Sequence, residues 1–395
     1  MDLHNIRQDF PIFKNQPNLV YFDNACMTLR PQCVIDAVRK YYEEYPVCAG
    51  RSAYRLAEKL TADIEDVRAN VAKFIGAKKE EVVFTKNTTE AINIVAQGLN
   101  WQEGDIVLGT DKEHNSNLTP WLKLVKERGI KYYAINPSEI VNKIKELKPR
   151  LVAVQSFSNL DGTKIILSPI IEEAHNCGAL VLVDGAQAVP HEVVDVWRND
   201  YKDVDFLAFS GHKMCGPSGT GVLYGKRELL EKLNPLLVGG GAIANSKYDD
   251  YELLPLPEKL EAGLQDYAGI LGLGEAVKYI EKIGIKNIEA HEKELNNIVT
   301  NGLKDEEKIK IIGPADSLLR GGIFTFYING VSSHEVAIML DNMANVAVRS
   351  GQFCVHSWFN ANEVADAVRT SFYFYNTPEE AEKFVEVMKN IIKIY

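Results

Sequence analysis

The chain has 395 residues, with 44 lysines and arginines against 54 aspartates and glutamates, which gives a formal net charge of −10. One hydrophobic core stops growing at roughly 250 to 300 residues, so we expect two domains. The net negative charge argues against nucleic-acid binding as the main task. No segment approaches the ~18 apolar residues of a membrane span, and the first residues lack the apolar core of a signal peptide, so we expect a cytoplasmic protein without membrane contact.

Short apolar runs alternate with amphipathic stretches along the first half of the chain. We predict strands at 81–85 (EVVFT), 105–109 (DIVLG), 151–156 (LVAVQS) and 179–185 (ALVLVDG). The stretches between them carry apolar residues at helical spacing, with glycine near their ends. This alternation predicts an α/β fold in which helices cover both faces of a mainly parallel sheet.

The second half of the chain changes character after a loop region at 239–263. A helix at 268–284 is predicted to connect two domains, and the remaining residues mix strands and helices in α+β style. We predict a large domain at 15–282 and a smaller domain formed by 1–14 and 283–395. Six cysteines occur without a C-x-x-C pair, so we expect free thiols and no metal site.

Three features are expected to meet at the carboxyl edge of the sheet, where ligands bind in open α/β folds. A strand leads into a helix through Asn87, Thr88 and Thr89, whose free N–H groups and hydroxyls are suited to a phosphate. Asp184 ends one apolar strand, and Lys213 follows the next. A phosphate site, a carboxylate and a lysine in this order favour pyridoxal 5′-phosphate, with Lys213 as its covalent partner. Taken singly, these residues are also typical of a helix cap, an ion pair and a solvated lysine.

The segment SGHKMCGPSGTGVLYG (210–225) resembles the cofactor-lysine signature of the class V aminotransferase family, whose members share the fold-type I architecture. Further motifs match in the same order over essentially the whole chain, namely YFDNA (21–25), NTTEAIN (87–93), EHNSN (113–117), LVDGAQ (182–187), GLGEAV (272–277), VAVRSGQFC (346–354) and VRTSFYFYNT (368–377). Within the family the chain is most similar to group II cysteine desulfurases, the Suf-type and selenocysteine lyase-like branch.

The resemblance implies a role for each matched residue of the site. His114 is implied to stack on the cofactor ring and to take part in catalysis, and Asp184 to pair with the ring nitrogen. Gln187 and Asn159 are implied to approach the phenolic oxygen. The remaining implied cofactor ligands hold the phosphate, and they are Thr88, Thr89, Ser210 and His212. The implied substrate-binding residues are Arg369, which matches the arginine that grips the substrate carboxylate, together with Arg349 and Asn159.

Cys354 matches the persulfide-forming cysteine of the desulfurases, although a single cysteine taken alone is more often an inert, buried thiol. The resemblance therefore predicts a homodimeric L-cysteine desulfurase that forms alanine and a persulfide on Cys354, for iron–sulfur cluster assembly or another sulfur-transfer pathway with a scaffold or acceptor protein. The alternatives are a selenocysteine lyase, another C–S lyase, a class V aminotransferase, or a non-catalytic binding partner. GQFC (351–354) and EAGLQDY (261–267) depart from the family pattern, which leaves substrate choice and dimer contacts open.

Overall fold

The structure is a computed structural model that describes residues 3–395. Its helices are α1 (Leu3–Gln8), α2 (Pro11–Asn15), α3 (Gln32–Glu44), α4 (Arg55–Phe74), α5 (Thr88–Gly98), α6 (Asn115–Arg128), α7 (Ile140–Leu147), α8 (Ser168–Asn176), α9 (Arg227–Leu230), α10 (Tyr267–Ile283), α11 (Ile285–Leu303), α12 (Ser333–Ala344), α13 (His356–Ala361) and α14 (Pro378–Ile392). Its strands are β1 (Val20–Tyr21), β2 (Val82–Thr85), β3 (Ile106–Thr110), β4 (Lys131–Ile135), β5 (Leu151–Gln155), β6 (Leu180–Asp184), β7 (Phe206–Ser210), β8 (Gly221–Gly225), β9 (Ile243–Ser246), β10 (Tyr251–Leu253), β11 (Ile309–Ile312), β12 (Ile323–Ile328), β13 (Val346–Ala347), β14 (Arg349–Gly351) and β15 (Ala367–Ser371).

A seven-stranded sheet in the order β2-β8-β7-β6-β5-β3-β4 forms the centre of the larger unit. The strands from β7 to β4 are parallel neighbours, whereas β8 is antiparallel to both β7 and β2. Gln155 lies opposite Asp184 in the register, and Asp184 lies opposite Ala208. The carboxyl ends of β5, β6 and β7 therefore meet at one edge of the sheet.

Side chains alternate between the two faces of this sheet, and each face packs against its own helices. Val181 and Val183 of β6 pack with residues of α4, α7, α8 and α10, whereas Leu182 packs with residues of α5 and α6. Because both faces are covered, the inner strands are apolar along their whole length instead of alternating with polar residues. This explains the continuous apolar runs in the sequence and confirms the predicted α/β architecture.

A four-stranded antiparallel sheet in the order β11-β12-β15-β14 forms the centre of the smaller unit. Its apolar face packs against α11, α12 and α14. Arg349 on β14 lies directly opposite Arg369 on β15. The smaller sheet therefore carries two arginines side by side.

The predicted strands at 81–85, 105–109, 151–156 and 179–185 agree with β2, β3, β5 and β6 to within about a residue at each end. The predicted loop at 239–263 differs, because it contains the antiparallel hairpin of β9 and β10. These strands are short and largely exposed, with polar residues on both faces, so no apolar pattern marks them.

The domain boundaries at 15 and 282 stay predictions. Phe10 packs with Tyr279 and Tyr375 in the core around the large sheet, whereas Val20 and Phe22 pack in the core of the smaller unit. Met1 and Asp2, which the prediction assigns to the smaller domain, lie outside the described residues. Within residues 3–395, no helix is both long enough and apolar enough to cross a membrane.

Candidate active site

A cavity of about 240 Å³ opens at the carboxyl edge of the large sheet, where the smaller sheet approaches it. Every site residue predicted from the sequence lines this cavity, namely Thr88, Thr89, His114, Asn159, Asp184, Gln187, Ser210, His212, Lys213, Arg349, Cys354 and Arg369. They come from both sheets and from positions up to 281 residues apart in the chain, between Thr88 and Arg369. The fold brings the whole predicted set together.

The N-terminus of α5 forms one end of the cavity. Asn87 caps the helix by accepting a hydrogen bond from the backbone N–H of Glu90 at 3.0 Å. The backbone N–H of Thr88 donates to the Ser210 hydroxyl at 2.9 Å, and the two hydroxyls lie 2.6 Å apart. Helix N-termini present free N–H groups and a partial positive charge, so this cluster is suited to an anion such as a phosphate.

A glycine allows this cluster to form. The Cα of Asn87 would lie 2.6 Å from a Cβ placed on Gly221, at the start of β8. Real Cβ atoms essentially never come this close to backbone atoms, so any larger residue would push the helix start away from β8. The close approach holds Thr88 against Ser210.

Asp184 and Lys213 are a carboxyl group and an amine that both line the cavity and interact electrostatically. Asp184 is buried and accepts a hydrogen bond from the backbone N–H of Ala186 at 3.0 Å. Burial raises the pKa of its carboxyl group, while the Lys213 ammonium opposes that rise. Burial lowers the pKa of Lys213, with Arg369 acting in the same direction and Asp184 against it. A lysine with a lowered pKa is more often an uncharged nucleophile at neutral pH.

Lys213 lies three residues beyond the end of its strand. β7 ends at Ser210, and Gly211–Lys213 form one turn of 3-10 helix. His212 in the same turn is also partly buried, and its pKa is lowered to about 4 by burial and by the Lys213 and Arg30 charges. The His212 ring is therefore neutral at pH 7 in this structure, and either ring nitrogen could form a hydrogen bond with an anion in the cavity.

His114 presents an uncharged ring to the cavity. It is the N-cap of α6, and its Nδ1 accepts a hydrogen bond from the backbone N–H of Ser116 at 3.1 Å. Burial, with the nearby Lys213 and Arg369 charges, lowers its pKa to about 3. A neutral imidazole with one nitrogen engaged is suited to stack on a flat aromatic group.

Two buried amide oxygens in the cavity lack a protein partner. Gln187 donates to the carbonyl of Ala25 at 2.6 Å, and Asn159 donates to the carbonyl of Phe353 at 3.0 Å. The other amide atoms, Gln187 Oε1 and Asn159 Oδ1, accept no hydrogen bond. Buried polar atoms are nearly always paired in native proteins, so these atoms mark the place of a polar ligand.

Arg369 is held at the wall by three contacts. Its Nη1 donates to the carbonyl of Asn159 at 2.9 Å, and its Nη2 lies 3.5 Å from Oδ1 of Asp23. Its guanidinium also lies 4.9 Å from the centre of the Phe353 ring. Its Nε has no hydrogen-bond partner although the residue is buried. The arginine is therefore fixed in place and retains a free donor for an anionic group.

Cys354 lies on the short loop that leaves β14. Phe353 and Cys354 both have left-handed backbone angles, with φ of 50° and 59°. The carbonyl of Cys354 accepts a hydrogen bond from the backbone N–H of Asn115 at 2.7 Å, which ties the loop to the start of α6. The Cys354 thiol is a free, exposed thiol at the mouth of the cavity.

Some residues of the site escaped the sequence analysis. Asp23 belongs to the matched segment YFDNA, but nothing in the sequence shows that it faces Arg369 and Arg349, at 3.5 and 3.9 Å. Cys26 lies three residues later and lines the same cavity as Cys354. Glu113, just before His114, is completely enclosed and accepts hydrogen bonds from β3, β5 and α6. Their places in the site depend on contacts between distant parts of the chain, which the sequence does not show.

The residues present fit pyridoxal 5′-phosphate. The start of α5 suits its phosphate, buried Asp184 suits a protonated ring nitrogen, and the orphaned oxygen and donor groups suit its polar substituents. Lys213 would supply the amine for a covalent bond, and the neutral ring of His114 would supply a stacking surface. Burial of Asp184 without a hydrogen-bonded cation of its own makes a cationic ligand favourable at that point.

Comparisons with known proteins show the family to which the chain belongs. The family model for class V aminotransferases matches residues 20–384. A cysteine desulfurase of Haloferax volcanii is 37% identical over 98% of this chain and 96% of its own, and a probable cysteine desulfurase of Methanothermobacter thermautotrophicus is 38% identical over 99% and 98%. The apo structure of a cysteine desulfurase from Thermococcus onnurineus NA1 superposes with a TM-score of 0.93 at 37% identity, covering 99% of this chain and 98% of its own. The cysteine desulfurase CsdA of Escherichia coli superposes with a TM-score of 0.90 at 31% identity, covering 100% and 99%.

Proposed function

The chain belongs to the class V aminotransferase family and is a pyridoxal-phosphate-dependent L-cysteine desulfurase, and we propose that it stores the sulfur of its substrate as a persulfide on Cys354. The observation that carries this proposal is one cavity that holds Lys213, Asp184 and Arg369 with the Cys354 thiol at its mouth. An amine, a ring-nitrogen partner, a carboxylate ligand and a sulfur nucleophile are the groups that desulfuration requires.

Each residue of the cavity has a separate role, which follows from its position. Pyridoxal phosphate, when bound, supplies an electron sink for the bonds at the substrate's α-carbon. Arg369 binds the substrate carboxylate, since its Nε is free and its other nitrogens are anchored. Lys213 Nζ, whose pKa is lowered, accepts the α-proton and later returns a proton to the product. Asp184, buried near Lys213, would pair with the ring nitrogen of the cofactor.

Cys354 takes the sulfur. Its thiolate attacks the sulfur of the substrate, a new S–S bond forms, and the substrate's C–S bond breaks. The bonding electrons stay with the carbon, which is protonated to the methyl group of alanine. The loop that carries Cys354 is anchored to Asn115 and Asn159, so its thiol is held beside the substrate instead of at a distant surface.

The experiment that tests the reaction is incubation of the purified, cofactor-loaded protein with L-cysteine and a reductant. We expect alanine and sulfide in equal amounts. Pyruvate with sulfide would indicate an eliminating C–S lyase, and faster release of selenium from selenocysteine would indicate a selenocysteine lyase. Amino-group transfer to a keto acid would indicate an aminotransferase, and a protein that binds no cofactor would be a non-catalytic partner.

A variant tests the role of Cys354. Cys354→Ser is expected to bind the cofactor and to change its absorption when L-cysteine is added, but to release little sulfide, because a hydroxyl is a poor nucleophile at neutral pH. Cys177→Ser is a matched control, since Cys177 is a partly exposed thiol outside the cavity. Undiminished sulfide release by Cys354→Ser would refute the assignment.

We also propose that the protein is a homodimer that delivers sulfur to a scaffold or acceptor protein in the cytoplasm. Large apolar side chains are exposed in the chain segments before and after the β9–β10 hairpin, including Leu237, Val238 and Leu264. Large exposed apolar patches often mark protein interfaces. The free state of all six cysteines fits a reducing compartment. Sedimentation analysis tests the dimer, and a single-chain mass at micromolar concentration would contradict it.

A further inference from the structure

Cys26 is a second thiol in the cavity that contains Cys354, and the reaction described above does not use it. Both residues line the same space of about 240 Å³. Cys26 is partly buried and Cys354 is exposed, and both are free thiols. The cavity also contains unpartnered amide oxygens of Asn159 and Gln187, so the two thiols face a space built for a ligand.

The segment that carries Cys26 is rigidly attached to the wall of the cavity. The backbone N–H of Ala25 donates to the Ser371 hydroxyl at 2.8 Å, and the carbonyl of Ala25 accepts from Gln187 at 2.6 Å. The backbone N–H of Cys26 closes a turn by donating to the carbonyl of Asp23 at 3.1 Å. Cys26 is thus held at a defined place beside the substrate site.

Lys213 lies near both thiols, and Arg369 lies near Cys26. Cys26 and Cys354 both lie close enough to Lys213 for their charges to act on its ammonium group. Cys26 also acts on the Arg369 guanidinium, which already lies against Phe353, the neighbour of Cys354 in the chain. Cys26 therefore lies near two basic side chains, whereas Cys354 lies at the exposed end of the cavity.

We propose that Cys26 is a second sulfur-carrying site, which accepts the outer sulfur of the persulfide on Cys354. The inference rests on the proposed formation of that persulfide. The Cys26 thiolate attacks the outer sulfur, a Cys26–sulfur bond forms, and the bond between that sulfur and Cys354 Sγ breaks. Cys354 leaves as a thiolate, and the persulfide proton stays with the transferred sulfur. One S–S bond replaces another, so the step needs no oxidant or reductant.

This transfer has a functional consequence for the enzyme. It frees Cys354 to react with a second substrate molecule before an acceptor protein arrives. The first sulfur is kept on a partly buried residue near Lys213 and Arg369, whereas Cys354 is exposed. One chain then holds two transferable sulfur atoms.

The test maps sulfur atoms on the cofactor-loaded enzyme after brief exposure to L-cysteine without reductant. The protein is alkylated, digested with trypsin without reduction, and analysed by tandem mass spectrometry. Cys354 lies in the tryptic peptide 350–369, whereas Cys26 and Cys33 share the peptide 15–39, because Arg30 precedes proline. Fragment ions between the two cysteines assign the sulfur to one of them. Cys33→Ser is the matched control, since Cys33 is a partly buried thiol outside the cavity.

We expect the wild type and Cys33→Ser to carry an extra sulfur first on Cys354 and then on Cys26. Cys26→Ser is expected to carry it on Cys354 alone, and the total bound sulfur falls by about half because one of two exchangeable sites is lost. Cys354→Ser is expected to carry none on Cys26. Cofactor absorption and far-ultraviolet circular dichroism verify that each variant is folded and loaded.

Each other result overturns a different statement. Sulfur on Cys354 but never on Cys26 in the wild type would refute the transfer and leave the proposed function intact. Absence of sulfur from Cys354 in both wild type and Cys26→Ser would refute the proposed function itself. Sulfur on Cys26 in Cys354→Ser would show direct loading from substrate and contradict the order. A disulfide-linked pair of the two peptides, with release of sulfide, would show attack on the inner sulfur and also refute the transfer.

Discussion

Glu113 is a buried acidic side chain next to His114 that accepts hydrogen bonds from β3, β5 and α6. Replacing it with glutamine tests whether it titrates between pH 5 and 8. Its Oε1 accepts hydrogen bonds from the Thr110 hydroxyl at 2.6 Å and from the backbone N–H of Gln155 at 3.0 Å. Its Oε2 accepts from Asn117 at 2.7 Å. Burial raises the pKa of Glu113 to about 7, in spite of these donors and with help from the Asp184 charge.

The expected change in the free energy of unfolding follows from this pKa shift. A rise of the pKa from 4.5 to about 7 corresponds to about 3 kcal/mol. Because the folded-state pKa is raised, the stabilising contribution is fully present below pH ~4.5 and is lost as the pH rises through ~7. Ionisation of Glu113 is therefore expected to lower the free energy of unfolding of the wild type by about 3 kcal/mol across this window.

The Glu113→Gln variant cannot ionise at this position, so its free energy of unfolding does not fall for this reason as the pH rises. At pH 5 we expect the variant to be less stable than the wild type by ~1–3 kcal/mol, because its amide group faces buried donors and leaves one unsatisfied. At pH 8 the difference in free energy of unfolding should shrink by about 3 kcal/mol and can change sign, because only the wild type is destabilised by a buried charge. Ionisable groups that do not interact with Glu113 cancel in this comparison.

The assay is urea unfolding of both proteins between pH 5 and 8, at the same saturating concentration of pyridoxal phosphate. Glu127→Gln is the matched control, since Glu127 is an exposed carboxylate on α6 that pairs with Lys123 at the surface. This control should follow the pH dependence of the wild type. Parallel curves for Glu113→Gln and the wild type would refute the reasoning, because they would show that Glu113 does not titrate in this range.

Three further substitutions test the site and its support. Lys213→Ala is expected to abolish turnover and the cofactor adduct, which borohydride reduction followed by peptide mapping detects; an adduct on another lysine of the site would contradict this. Asp184→Asn is expected to lower turnover at least about tenfold at matched cofactor occupancy, because the ring nitrogen loses its charged partner, and an unchanged rate would count against that role. Glu261→Gln breaks a buried pair with Arg68, whose nitrogens lie 2.6 and 3.0 Å from the carboxylate, and urea unfolding should show a loss of ~3–5 kcal/mol.

The buried strands were predictable because their apolar runs reflect burial on both faces. The runs at 151–156 and 179–185 do not alternate between apolar and polar residues. A continuous apolar run of this kind is typical of a strand that lies between two layers of helices. The hairpin of β9 and β10 was not predictable for the opposite reason. Its residues are largely exposed, so burial left no pattern in the sequence to show that Tyr251 lies opposite Ser246.

The same distinction applies to the site. Lys213, Asp184 and Thr88 could be predicted because each lies at a strand end or helix start, and local geometry dictates where those ends point. Asp23 could not be assigned, since its role depends on Arg349 and Arg369 from the other end of the chain. Its segment is fixed by contacts with distant parts of the chain, including the pairing of Val20 with Val346 and of Asp23 with Ser371.

The sequence by itself determined the α/β architecture and the positions of Thr88, Asp184 and Lys213 near strand ends and a helix start. These properties are local, because periodicity, capping and strand ends depend on residues a few positions apart. The other residues of the cavity were implied by the resemblance of the motifs to a known family. Only the tertiary structure decided that Cys26 and Cys354 share one cavity, that Glu113 is fully enclosed, and that Arg369 retains a free nitrogen. Burial and charge at these positions arise from packing between segments that lie far apart in the chain, and no local pattern records that packing.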